Sequence, residues 1–134
     1  MIIAVSVDKE FDNYSEFHGA LNSLAANPDF KEFCGLESTL LSRFKSDAHK
    51  PTQVFKINWA VDKNTPKDNI KMNKANKPYD SAAPLNAAKR VVEYATHIVE
   101  FGKGDYNINK LAKDKLVRVS PDKKVIALNK KYNF

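Results

Sequence analysis

Short apolar runs alternating with amphipathic stretches constrain this chain more than any other feature. From Tyr79 to Val119 it reads YDSAAPLNAAKRVVEYATHIVEFGKGDYNINKLAKDKLVRV. A Pro-Leu-Asn turn opens a helix in which Ala88, Val91, Val92 and Ala95 share one face, while Lys89, Arg90 and Glu93 look outward. An apolar strand follows over His97–Phe101, then a loop carrying Gly102 and Gly104. A shorter helix with Ile108, Leu111 and Ala112 inward leads to a strand over Leu116–Val119. That order is half of a doubly wound α/β domain, in which ligands sit at the carboxyl ends of the strands.

The first half repeats the pattern. Ile2–Val7 is almost wholly apolar, as a strand buried on both faces requires. Asp12 or Asn13 caps a helix whose Phe17, Leu21 and Leu24 recur at spacings of four and three. Asn27-Pro28-Asp29 ends it. Phe30–Cys34 is a second strand, and Gly35-Leu36-Glu37-Ser38 turns the chain into a helix with Leu36, Leu40, Leu41 and Phe44 inward, closed by Pro51. Gln53–Trp59 alternates as a third strand. After the turn at Pro121–Lys124, Val125–Leu128 adds an antiparallel edge strand. The expectation is one domain over residues 1–134: a mainly parallel sheet with helices on both faces.

One segment departs from this rhythm. Residues 61–78 are polar and lysine-rich, and they read as an exposed insertion or flexible loop. A helix there would carry Lys63, Lys67, Lys71 and Lys74 on one side, though Pro66 and the asparagines oppose a long one.

Composition narrows the function classes. At 134 residues the chain can bury a core without metal or disulfide help. The single cysteine, Cys34, excludes an internal disulfide and a cysteine-rich zinc site, and it fits a reducing cytoplasm. His18, His49 and His97 lack metal-ligand spacing, so no metal is expected. No apolar run reaches membrane-spanning length, and MIIAVSVDKE has no basic region ahead of its apolar residues, so it reads as a strand and not a leader. The formal charge of +6 draws the chain towards phosphate-bearing partners, but only Arg43, Arg90 and Arg118 are present, against sequence-specific DNA reading.

Four local matches give the chain a family likeness. Ser6 to Tyr14 (SVDKEFDNY) is similar to a first-strand signature of the type Thr-Gly-Ser-Arg-Asp-Phe. Gly35-Leu36-Glu37-Ser38 looks like a Gly-x-Asp loop that opens a helix. Ala82–Asn86 with Val91–Ala95 resembles a Gly-Pro-x-Arg-Asn turn and its Met-Val-Glu-Tyr-Ala helix. Gly102 to Leu111 is similar to a last loop in which glycine and a small hydroxyl residue precede a helix. On these motifs the chain resembles the small YspA-like members of the SLOG superfamily, Rossmann-like domains related to DprA and to the LOG nucleotide-processing enzymes.

The resemblance implies a nucleotide or nucleotide-derived ligand at the carboxyl edge of the sheet, with Asp8, Lys9, Gly35, Glu37, Asn86, Arg90, Gly102, Gly104 and Asp105 as the binding set, no cofactor and a homo-oligomeric state. The departures from its pattern are chemical. Val7 and Ala83 replace glycines, Lys9 replaces an arginine, and Asp105 stands at the hydroxyl position. The Pro-Gly-Gly-x-Gly-Thr loop of the LOG enzymes is absent, against their phosphoribohydrolase activity. Glycine at a strand-to-helix turn lets backbone N–H groups approach a phosphate, which Val7 obstructs. A carboxylate at position 105 suits a ribose hydroxyl or an amino group. The leading expectation is therefore a sensor or sequestering protein without turnover. Two alternatives remain: a nucleotide N-glycosidase or hydrolase using Glu37, and a nucleic-acid or protein-interaction module using Lys63, Lys67, Lys71 and Lys74. The small, lysine- and asparagine-rich chain suits a phage or mobile-element protein.

Overall fold

The computed structural model describes residues 1–120. The described chain runs β1 (Ile2–Val7), α1 (Tyr14–Ala25), β2 (Glu32–Leu36), α2 (Thr39–Ala48), β3 (Thr52–Phe55), β4 (Ile70–Met72), β5 (Pro78–Asp80), α3 (Ala83–Tyr94), β6 (His97–Phe101), α4 (Tyr106–Ala112) and β7 (Val117–Arg118). A five-stranded sheet has the order β3-β2-β1-β6-β7, and β4 and β5 form a separate two-stranded sheet. Every pairing in the larger sheet is parallel. The molecule is thus α/β with a Rossmann-like parallel sheet flanked by helices. β1 lies at its centre, and the strand order reverses between β1 and β6.

Period-two alternation along β1 explains how one strand serves both layers. Ile3 and Val5 enter a core with Phe17, Leu21, Leu24, Leu41, Phe44 and the β6 residues Val99 and Phe101. Ala4 points to the opposite core, with Cys34, Ala88, Val91, Ile98, Ile108 and Ala112. Helices α1 and α2 therefore cover one face, and α3 and α4 cover the other. The first core is aromatic: the Phe17 ring lies 4.8 Å from Phe101 and 6.1 Å from Phe44, and Phe33 lies 5.5 Å from Phe44. The second has no buried aromatic ring and is built from alanines, Cys34 and the branched Val91, Val92, Ile98 and Ile108.

Caps fix the helix starts. Asn13 accepts a bond from Glu16 N, and Ser38 Oγ from Leu41 N. Pro84 occupies the first turn of α3, where no N–H is missed. Helix α2 ends at His49 in the left-handed region (φ 52°).

Several expected boundaries move. β2 covers Glu32–Leu36 and not Phe30–Cys34, because Phe30 N bonds Asn27 O and closes the turn after α1. β3 stops at Phe55 and does not extend to Trp59. Its only ladder partner, β2, ends opposite it, and the last bond runs from Glu37 N to Phe55 O. β7 is limited to Val117–Arg118. The strand expected over Val125–Leu128 lies outside the described residues.

The lysine-rich segment is neither a structureless loop nor a helix displaying its lysines in a row. A single 3-10 turn at Lys67–Asn69 leads into the antiparallel pair Ile70–Met72 and Pro78–Asp80. Asn73 closes the connection: its Oδ1 accepts from Ala75 N and Lys77 N, while Asn76 takes a left-handed φ of 58°. Lys63, Lys67, Lys71 and Lys74 consequently fall on a loop, a 3-10 turn, a strand and a turn.

Candidate ligand cleft at the carboxyl edge of the sheet

The loops after β1 and β2 and the start of α4 converge at the carboxyl ends of the central strands. They enclose a cleft of about 380 Å³. Its floor is apolar, formed by Val5, Leu36, Leu41 and Ile108, and Phe11 and Ile57 extend it. Asp8, Lys9, Glu37, Ser38 and Asp105 supply its polar rim. Each is there for a local reason. Asp8 begins the loop after β1, where its N–H bonds Phe101 O and its carboxylate turns back onto Glu10 N at 3.1 Å. Glu37 follows β2 directly, and its carboxylate faces Ile57 N at 3.5 Å. Asp105 is the N-cap of α4, accepting from Ile108 N at 2.9 Å.

Ser6 holds the rim together, and nothing in the sequence reading singled it out. It is fully buried near the end of β1. Its Oγ donates to Asn109 Oδ1 at 2.6 Å and accepts from Asp105 N at 2.6 Å. Asn109 Nδ2 in turn donates to Lys103 O at 3.0 Å. A polar residue interrupting an apolar strand was the available signal, since a buried hydroxyl must find partners. Its partners lie about a hundred positions downstream and carry no local signature.

The expected site residues divide accordingly. Asp8, Lys9, Glu37 and Asp105 gather at the cleft. Gly102 and Gly104 fall outside the cleft lining, in the loop between β6 and Asp105, with φ of 64° and 73°. A Cβ on Gly104 would fall 2.5 Å from Asn109 Nδ2 and 2.9 Å from Ser6 Oγ, so this glycine permits a close approach between loop, strand and helix. Gly35 lies inside β2, buried, where a Cβ would meet Leu41 at 3.0 Å and Val5 O at 3.1 Å. Its place is in helix–sheet packing beneath the cleft. Asn86 and Arg90 stand apart from it on exposed positions of α3, and Arg90 Nη2 donates to Lys56 O at 2.9 Å.

Four of the amides that could bind an anion on such a rim are already engaged. Gly104 N bonds Phe101 O, Asp105 N bonds Ser6 Oγ, Ile108 N bonds Asp105 Oδ1 and Leu41 N bonds Ser38 Oγ. Across Gly104 lies a second, more open depression of about 510 Å³, which shares Asp8 with the cleft and brings Lys103 and Lys110 beside Tyr106. Lys9 is the cation on the cleft's own rim, and Lys103 and Lys110 add two more beside it.

Cys34 is not a nucleophile of this site. It is fully buried in the core against α3, and that burial, aided by the Glu32 carboxylate, pushes its thiol from the usual 9.0 up to about 12. Alkylation of the folded protein at pH 8 is expected to be negligible and to become complete in denaturant, as followed by mass spectrometry. Because the unfolded thiol ionises first, stability should also fall as the pH rises from about 9 towards 12.

Among the described residues no group of His, Cys, Asp or Glu is arranged to hold a metal, and no helix is long and apolar enough to cross a membrane. Fold and cleft together define a Rossmann-like α/β protein with a pocket at the carboxyl edge of its sheet. Comparison of the chain with family models, with curated proteins and with solved structures returned no match.

Proposed function

We propose that the protein binds a nucleotide-derived small molecule at the carboxyl edge of its sheet, as a sensor or sequestering module without turnover. The observation that carries this reading is the pairing of an apolar floor with a rim of carboxylates in one cleft of about 380 Å³. A flat base can lie against Phe11, Leu36 and Ile57, which are only partly buried, removing apolar surface from water. Ribose hydroxyls or a base amino group can donate to Glu37, Asp8 or the free oxygen of Asp105, and hydrogen bonds to charged acceptors are the stronger kind. A phosphate on the same molecule belongs across Gly104, against Lys103 and Lys110, because the carboxylates of Asp8, Glu37 and Asp105 would repel it at the rim and the Asp105 and Ile108 amides are occupied.

Thermal denaturation against nucleosides, nucleotides, cyclic dinucleotides and NAD-derived molecules tests the assignment. A genuine ligand at a hundred times its dissociation constant should add about 2.7 kcal/mol, a shift of several degrees. Lys103→Glu with Lys110→Glu should weaken a nucleotide at least tenfold and leave the matching nucleoside unaffected. Glu37→Gln should weaken both. Failure of the whole panel would remove the proposal, and product formation from a stabilising ligand would turn it into an N-glycosidase or hydrolase acting through Glu37.

A further inference from the structure

We infer that the lysine-rich hairpin formed by β4 and β5 is a platform for single-stranded nucleic acid, separate from the cleft. The argument begins with charge. Lys63, Lys67, Lys71, Lys74 and Lys77 are all exposed, and among the described residues none of them joins an ion pair. Of the acids in the same segment, Asp62 is turned onto Asn64 N and the Thr65 hydroxyl, and Asp80 onto Ala82 N. Asp68 alone faces solvent without such a bond. The surface is therefore a net cation whose lysine heads are free to meet phosphates.

Backbone bonds to its flanking residues hold the hairpin closed and tie it to Trp59. Asp80 N bonds Trp59 O, Ser81 N bonds Asn69 O, and Ser81 Oγ donates to the same carbonyl at 2.8 Å. Its second feature is aromatic. Trp59, the only tryptophan of the chain, is 46 % exposed and packs edge-on against Tyr79 with centroids 5.9 Å apart. Tyr79 pairs with Lys71 in the strand register, so a cation and an aromatic ring share one face. Tyr79 braces the indole while much of the indole surface stays uncovered. Lysines for the backbone beside an open ring for a base are the requirements of single-strand binding.

Base-edge reading of a duplex needs a different residue. Its usual agent is the arginine fork, and here Arg43 engages Asp47 and the Tyr14 ring, Arg90 the Lys56 carbonyl, and Arg118 Glu100. An unpaired base, by contrast, has a π-face to offer Trp59. The partner that fits is a single strand held by charge and stacking, without strong sequence preference.

Because the chain has one tryptophan, its fluorescence reports directly on this surface. Titration with an oligothymidylate should quench it saturably. Phosphate contacts through three lysines should weaken the affinity about 20-fold between about 50 and 200 mM salt. Lys71→Glu with Lys74→Glu should reduce binding more than tenfold. Trp59→Ala, followed by anisotropy of a labelled strand, should lose about tenfold while keeping the salt slope, and Trp59→Phe should recover part of that loss. Unchanged binding by Trp59→Ala, equal binding of a duplex, or equal quenching by polyglutamate would each overturn the inference, the last in favour of an acidic protein partner.

Discussion

Gly104→Val is expected to lower the unfolding free energy by about 3 kcal/mol, combining a side chain forced to positive φ with overpacking. Gly104 has a φ of 73°, and its Cβ would meet Asn109 and Ser6 within 3 Å. Asn109 can yield only by giving up the Ser6 hydroxyl and the Lys103 carbonyl, which leaves a buried donor unpaired. The melting temperature should fall by roughly 10 °C, and any ligand found for the cleft should be lost at temperatures where the variant is still folded. A variant that melts with the wild type would show that loop, strand and helix do not meet as described.

Phe17→Ala should cost as much or more, about 3–5 kcal/mol. Phe17 is fully buried and packs against both Phe44 of α2 and Phe101 of β6, so its ring joins the two helices of that face to the sheet. Urea denaturation should show a lower midpoint with an unchanged slope, the mark of a cavity and not of a changed unfolded state. Phe11 makes the useful comparison. It lies only partly buried at 5.4 Å from Phe101, and its truncation should cost well under half as much.

Those elements were the legible part of the sequence because their signals are local. Phe17, Leu21 and Leu24 at helical spacing, and the unbroken apolar run of β1, demand a helix and a doubly buried strand whatever surrounds them. The capping of α1 by Asn13 and the inner face of α3 follow from neighbouring residues as well. What escaped depends on partners distant in the chain. β3 stops at Phe55 because β2 turns away, which QVFKINW does not record. The hairpin was hidden by its polarity, although Asn73 and Asn76 supply its turn chemistry. For the cleft, the positions after each strand could be named, yet Gly35 belongs to packing and Ser6 to the rim only because α2 and α4 descend onto them.

The bond between Ser6 and Asn109 has a consequence in time. Central strand β1 leaves the ribosome well before its partners: the neighbour that completes its inner edge, β6, and the helix that fastens the rim follow some ninety residues later. Such distant pairings slow folding. During synthesis β1 must therefore wait with one flank unpaired, and the pocket closes only when nearly the whole described chain has emerged.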